Sequence, residues 1–191
     1  MSSAAVADRG GPEAAPFPTR PAPPRTLLLG MGNPILGDDR VGHELARRVA
    51  ERLGAAPGLE VEPECTVGGL ELLELVAGFD RLIVLDSIKT HGGRPGDWYR
   101  FDGSSLNETM NLSNVHDANF ATAMELGRRL GMHLPGDADI HIFAVEVQEN
   151  LTFAEHLSPE LERAVPELCE EMATEIESLL GDTGASTPAS P

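Results

Sequence analysis

Two kinds of apolar pattern alternate along this chain: short unbroken runs, and longer stretches with helical spacing. Thr26-Leu27-Leu28-Leu29 is unbroken and stops at glycine, which suits a strand buried on both faces. Val41, Leu45, Val49 and Leu53 then recur every four residues and predict a helix. Leu59 to Thr66 alternates weakly and reads as a second strand. Gly69 to Phe79 reads as a short helix with Leu70, Leu73 and Val76 on one face. Arg81-Leu82-Ile83-Val84-Leu85-Asp86 is the clearest buried strand, with Asp86 at its end. Trp98 to Phe101 follows the turn Arg94-Pro95-Gly96 and suits another strand. Ser113 to Leu130 predicts a helix with Ser113 as N-cap, and Ile140 to Val145 a fifth strand. The last helix is the best marked. Ser158 caps it, Pro159 takes the first helical position and Glu160 favours its dipole. Its apolar stripe is Leu161, Val165, Leu168, Met172, Ile176 and Leu179.

Strands alternating with helices predict an α/β three-layer sandwich: a mostly parallel, twisted sheet of about five strands flanked by helices. In such sheets ligands gather beyond the C-terminal ends of the strands. Residues 1–24 are rich in Pro, Ala, Gly and Ser and lack the apolar side chains to offset ordering entropy, so they are expected to be a disordered leader. Residues 181–191 are expected to be a similar tail, which leaves one domain over 25–180. The sequence shows no internal repeat.

The formal net charge of -17, from 31 acidic against 14 basic residues, changes the list of partners. Such a field repels phosphate backbones and anionic membrane surfaces, and suits a metal cation or a basic peptide. No apolar run approaches the roughly 20 residues that span a bilayer. The N-terminal stretch has no charged start followed by an apolar segment, so the expected location is the cytoplasm. The two cysteines, Cys65 and Cys169, form no CxxC pair and are expected to be buried, reduced thiols.

Three polar positions follow strand ends or begin helices. Asp38 and Asp39 come just after the first strand and its Gly30-Met31-Gly32-Asn33 turn, Asp86 ends the strongest strand, and His116 sits in the first turn of the helix that Ser113 caps. All three project toward one rim of the sheet. Two carboxylates and an imidazole suit a borderline divalent cation, with coordination positions left for water or substrate. Taken singly, each has a plainer reading: a helix cap for Asp38 or Asp39, a strand-end polar residue for Asp86, a solvated helix residue for His116. Other motifs fail. Gly30-x-Gly32 lacks the third glycine of a dinucleotide fingerprint, since position 35 is Ile35. His43-Glu44 lacks the second zincin histidine, since position 47 is Arg47. His91, His133, His141 and His156 have no partners at ligand spacing and are expected on the surface.

The segment Leu29-Gly30-Met31-Gly32-Asn33-Pro34-Ile35-Leu36-Gly37-Asp38-Asp39-Arg40-Val41-Gly42 closely resembles the opening signature of the hydrogenase maturation proteases. The resemblance continues through Thr66-Val67-Gly68-Gly69-Leu70-Glu71-Leu72, then Leu82 to Ser87, Pro95-Gly96, the Ser-x-x-His of Ser113 to His116, and Leu157-Ser158-Pro159. It implies an endopeptidase that removes a C-terminal extension from a [NiFe]-hydrogenase large-subunit precursor, and nothing in the sequence demands more than a monomer. It implies that nickel comes with the precursor and is contacted by Asp39, Asp86 and His116. A carboxylate, Asp38 or Asp39, is then the candidate general base. Gly30, Gly32, Asn33, Gly68 and Gly69 are expected at substrate-facing turns, shaping the backbone more than reacting. The polar stretch 102–112 is the expected substrate-facing loop. Two positions depart from the family pattern: Arg40 stands where a small residue is usual and sets a cation beside Asp39, and Asp39 is shorter than the Glu of some relatives. Two other classes remain open from the residues alone: a nickel-checkpoint protein that binds the precursor without cutting it, and a small-molecule hydrolase on a similar fold.

Overall fold

The computed structural model describes residues 22–105 and 115–181, with the backbone alone at 115–119. Most of the expected leader, all of the expected tail beyond Gly181, Ser113 and most of the stretch 102–112 lie outside the described residues.

Five strands form one sheet: β1 (Thr26–Met31), β2 (Leu59–Cys65), β3 (Arg81–Ile88), β4 (Trp98–Asp102) and β5 (Ile140–Glu146). Their spatial order is β2-β1-β3-β5-β4. All neighbours are parallel except β4, which pairs antiparallel with β5 at the edge. The helices are α1 (Val41–Leu53), α2 (Leu70–Val76), α3 (Val115–Arg129) and α4 (Pro159–Gly181). This is the expected three-layer α/β architecture.

Successive side chains of a strand point to opposite faces. Leu28 of β1, Ile83 and Leu85 of β3, and Phe143 and Val145 of β5 therefore meet α1 and α4 through Val41, Leu45, Val49, Leu161, Val165 and Met172. Leu27 and Leu29, Leu82 and Val84, and Ile140 face the other way and pack with Leu72, Leu73 and Val76 of α2 and Phe120 and Met124 of α3. Because both of their faces are covered, β1 and β3 are buried at every residue and apolar along their middles, with polar side chains only toward their ends, at Thr26, Arg81, Asp86 and Ser87. The edge strands β2 and β4 are only partly covered, so β2 tolerates Pro63. On β4, Trp98 stacks on Phe143 and donates its indole N–H to Glu171 of α4 at 2.7 Å.

Several details differ from the sequence expectations. Leu70 is exposed and Leu72 takes its place in the core, because α2 begins only at Leu70 and its buried face is Leu72, Leu73 and Val76. Strand β3 runs two residues past Asp86, since β5 goes on pairing with it as far as Ile88↔Glu146. Ser158 does precede α4, but its hydroxyl is buried with no hydrogen-bond partner among the described residues. Its carbonyl instead accepts the Glu162 N–H at 2.9 Å. Cys65 and Cys169 are free and buried, as expected, and burial pushes both thiols up.

His141 is buried on β5, not on the surface, and His43 is buried on α1. Burial, more than any neighbouring charge, pushes both imidazoles below their ordinary value of 6.5. In the unfolded chain they titrate at that ordinary value, so between the two pKa values the unfolded state binds more protons. Their contribution to stability is complete above pH 6.5 and is lost as pH falls below it. The melting temperature is expected to fall as pH drops below about 6.5, starting above the range where most carboxylates titrate. His141→Asn is expected to flatten part of that drop, which a thermal melt across pH reads directly.

Candidate active site

The chain passes from β1 out to β2 on one side and then returns across β1 to β3 on the other. The sheet therefore has a switch point between β1 and β3, and ligands of open α/β sheets bind just outside such a point. Pairing between the two strands stops at Gly30↔Leu85. From Asp86 onward, β3 extends past its neighbour and forms one wall of a notch. The turn after β1 supplies the other wall.

That turn continues into a single turn of 3-10 helix, Gly37–Arg40, which holds both acids of the opening signature and buries Asp38 and Asp39. Asp39 is only 6% exposed, and both of its oxygens are engaged. The Ser87 hydroxyl donates to Oδ1 at 2.6 Å, and the Asn33 backbone N–H donates to Oδ2 at 2.9 Å. Ser87 directly follows Asp86, whose Oδ1 accepts the Ser87 N–H at 2.7 Å. Ser87 thus ties the two predicted acids together. It sits in the Leu82–Ser87 block of the sequence, where only the adjacency to Asp86 hinted at a role.

Asp38 turns elsewhere. Its Oδ1 accepts the Ser158 N–H at 2.6 Å, so it fixes the start of α4 to the turn after β1. Neither acid caps α1 through its side chain. Arg40 does not lie on Asp39: its guanidinium donates to the Glu155 carbonyl. Asn33 shapes the turn, with its side-chain Oδ1 accepting the Ile35 N–H at 3.2 Å and its carbonyl accepting the Leu36 N–H. Gly32 has φ +138°, and a Cβ there would stand 2.1 Å from the Asp39 carbonyl oxygen. Glycine is required by both the conformation and the space. Gly30 is just as confined, by Pro63 and Ala46. Gly68 and Gly69 lie between β2 and α2.

Of the expected nickel contacts, Asp39 and Asp86 are brought to the same notch. His116 lies in the first turn of α3, and its side chain is outside the described residues. Among the described residues, no three His, Cys, Asp or Glu side chains gather closely enough to hold a metal ion. The donor set still fits a hard or borderline cation: two buried carboxylates that share Ser87 as a hydrogen-bond donor, which fixes their orientation. A further buried acid, Glu146, is taken up by the β3–β4 loop. It accepts the Thr90 N–H at 2.7 Å and the Thr90 hydroxyl at 2.8 Å.

The family model for hydrogenase maturation protease matches residues 65–176, more than half of the chain. The chain belongs to the hydrogenase maturation protease family. Members of this family are endopeptidases, and so is this chain by membership. The matched stretch takes in Asp86 and His116, while Asp38 and Asp39 precede it. Solved maturation proteases share the fold across the whole domain. The hydrogenase maturating endopeptidase HybD from Escherichia coli is 24% identical, over 81% of this chain and 93% of its own, with a TM-score of 0.68. The [NiFe] hydrogenase maturation protease HybD from Thermococcus kodakarensis is 24% identical, over 80% of this chain and 98% of its own, with a TM-score of 0.59. A [NiFe] hydrogenase maturation protease HycI from Thermococcus kodakarensis KOD1 is 20% identical, over 81% and 94%, with a TM-score of 0.54. No curated protein matches this maturation protease by sequence alone. Among its described residues no helix is long and apolar enough to cross a membrane.

Proposed function

We propose that this protease removes the C-terminal extension of a [NiFe]-hydrogenase large-subunit precursor in the cytoplasm, and that it does so only after the precursor has received nickel. The observation that supports this most is the pairing of Asp39 and Asp86, joined through Ser87, at the open notch between β1 and β3. In this reading Asp39, Asp86 and His116 complete the coordination of nickel that the precursor carries. A partial ligand set of this kind discriminates loaded from empty precursor, because only the loaded chain supplies the remaining ligands. Bound there, the metal would supply Lewis-acid polarisation of the scissile carbonyl.

The protein's own residues do the rest. Asn33 N–H and Ser87 O–H hold the Asp39 carboxylate in one orientation, so no reorganisation is needed when substrate arrives. Asp39 acts as the general base. It takes a proton from water, whose oxygen attacks the peptide carbonyl carbon. The C–N bond breaks and the proton passes to the leaving amine. Asp38, tied to Ser158, is a positioning residue that keeps the turn after β1 docked on α4.

A cleavage assay with nickel-loaded and nickel-free precursor, read by mass shift, tests the reading. The loaded form is expected to lose its extension and the empty form to stay whole. Cutting both forms would remove nickel from recognition. Binding the loaded form without cutting it would make the protein a checkpoint rather than a protease.

A further inference from the structure

The residues after β5 run Glu149-Asn150-Leu151-Thr152-Phe153-Ala154-Glu155-His156. Two large apolar side chains here have no core to enter: Leu151 is 75% exposed and Phe153 76%. Across from them, Ile35 of the turn after β1 is 57% exposed. The two stretches meet at an isolated parallel bridge, Leu36↔Ala154. There the Ala154 N–H donates to Ile35 O, and the Gly37 N–H to Ala154 O, each at 3.2 Å. Arg40 adds a bond to the Glu155 carbonyl, and Asp38 one to the Ser158 N–H. The stretch 150–158 is thus fastened at three places to the turn that carries Asp38 and Asp39. Its exposed apolar side chains form a platform beside the site, on a backbone already fastened in place, so only their own ordering remains to be offset on binding.

We propose that Ile35, Leu151 and Phe153 dock an apolar stretch of the precursor polypeptide next to the bond that is cut, a proposal that rests on the protease reading above. The chemistry around the platform identifies the occupant. Beside the platform, Glu149 pairs with Lys89 and Glu160 with Arg163, which leaves Glu155 and Glu162 as the carboxylates with no basic partner among the described residues. The whole chain carries a net charge of -17. Behind the platform lies a polar cleft of about 380 Å³ of mixed charge, lined by Arg40, Arg48, Glu44, Glu155, Glu162 and His156 among others. A platform of aliphatic and aromatic side chains, rimmed by carboxylates and opening onto a polar cleft, fits an extended peptide with alternating apolar and basic side chains. It does not fit an anionic lipid surface, which the rim repels.

The test uses the full chain with Leu151→Ser and Phe153→Ser together, assayed on nickel-loaded precursor beside the unmodified protein. Both positions are exposed, so the melting temperature is expected to hold. The KM is expected to rise about tenfold with kcat unchanged, as for loss of uniform binding. Ile35→Ser alone is an independent variant with the same expected direction. Leu130→Ser, an exposed apolar residue on the far side of the sheet, is expected to leave KM as it was. Added salt is expected to raise the KM of the unmodified protein. An unchanged KM in both platform variants, while the unmodified protein cleaves, overturns the docking surface and leaves the protease reading standing. If sedimentation shows a dimer that the double substitution splits into monomers, the surface belongs to a second copy of this chain and the proposal fails. An unmodified protein that neither binds nor cuts the precursor overturns both.

Discussion

Replacing Asp39 by asparagine is expected to lower kcat/KM for the nickel-loaded precursor by about a hundredfold to ten-thousandfold, the usual range for loss of a general base. The fold is expected to survive. Asp39 accepts one bond from a backbone N–H, that of Asn33, and one from a hydroxyl, that of Ser87. The N–H can only donate, so the carbonyl oxygen of the new amide must face Asn33. Its NH2 group then faces Ser87, whose hydroxyl rotates to accept in place of donating. The substitution thus removes the charge and the basic oxygen while both hydrogen bonds are remade. Asp39→Ala behaves differently. It leaves the part-buried Asn33 N–H without its acceptor, at a cost of about 1 kcal/mol, the low end of the usual range, and is expected to lower the melting temperature as well as activity. Thermal melts of the two variants, run beside the mass-shift assay, separate the chemical role from the structural one. Full activity in Asp39→Asn would take Asp39 out of the reaction and leave Asp38 as the base.

Much of this fold is legible in one sequence because both faces of the sheet are covered. That burial makes β1 and β3 unbroken apolar runs, and the same runs end in the turns where ligands bind. Position alone therefore picks out Asp38, Asp39 and Asp86 as candidates. What escaped depends on contacts that periodicity does not carry. The notch at Asp86 arises because β3 outlasts β1, which is a property of the pair and of neither strand. Leu70 and Leu72 exchange places because the start of α2 shifts which residues face inward. His141 is buried by the helices packed over β5, and no local spacing marks it. The divergent roles of two adjacent acids, one bound to Ser158 and the other to Ser87, depend on partners 120 and 48 residues away.

Gly42→Ala is expected to be among the most damaging glycine-to-alanine changes in the described residues. Gly42 lies in the first turn of α1, where the helix settles onto the C-terminal ends of β1 and β3. A Cβ there would stand 2.2 Å from the Met31 carbonyl oxygen and 2.3 Å from that of Leu85. Both obstacles are backbone in the middle of the sheet, so neither can swing aside as a side chain would. The helix must lift by about an ångström, and overpacking of this kind costs about 3 kcal/mol at the upper end of its usual range. For a domain of this size that lowers the melting temperature by about 6–12 °C. The displacement also reaches the chemistry, because Asp39 is three residues upstream in the same rigid turn. A shift of about an ångström at a reacting group can cost on the order of a hundredfold in rate. Gly54→Ala is the matched control. Gly54 ends the same helix with φ +61° and nothing within 4 Å of its Cβ direction. Its ψ of -148° completes a conformation nearly restricted to glycine, so the substitution costs about 1–3 kcal/mol of backbone strain, and activity is expected to stay intact. Rates measured well below both melting temperatures distinguish the two glycines. If Gly42→Ala melts early yet cuts at the normal rate, the notch tolerates movement of α1, and the tight seat of Gly42 serves stability alone. If both fall together, the close approach of α1 to the sheet is what sets Asp39 against Ser87.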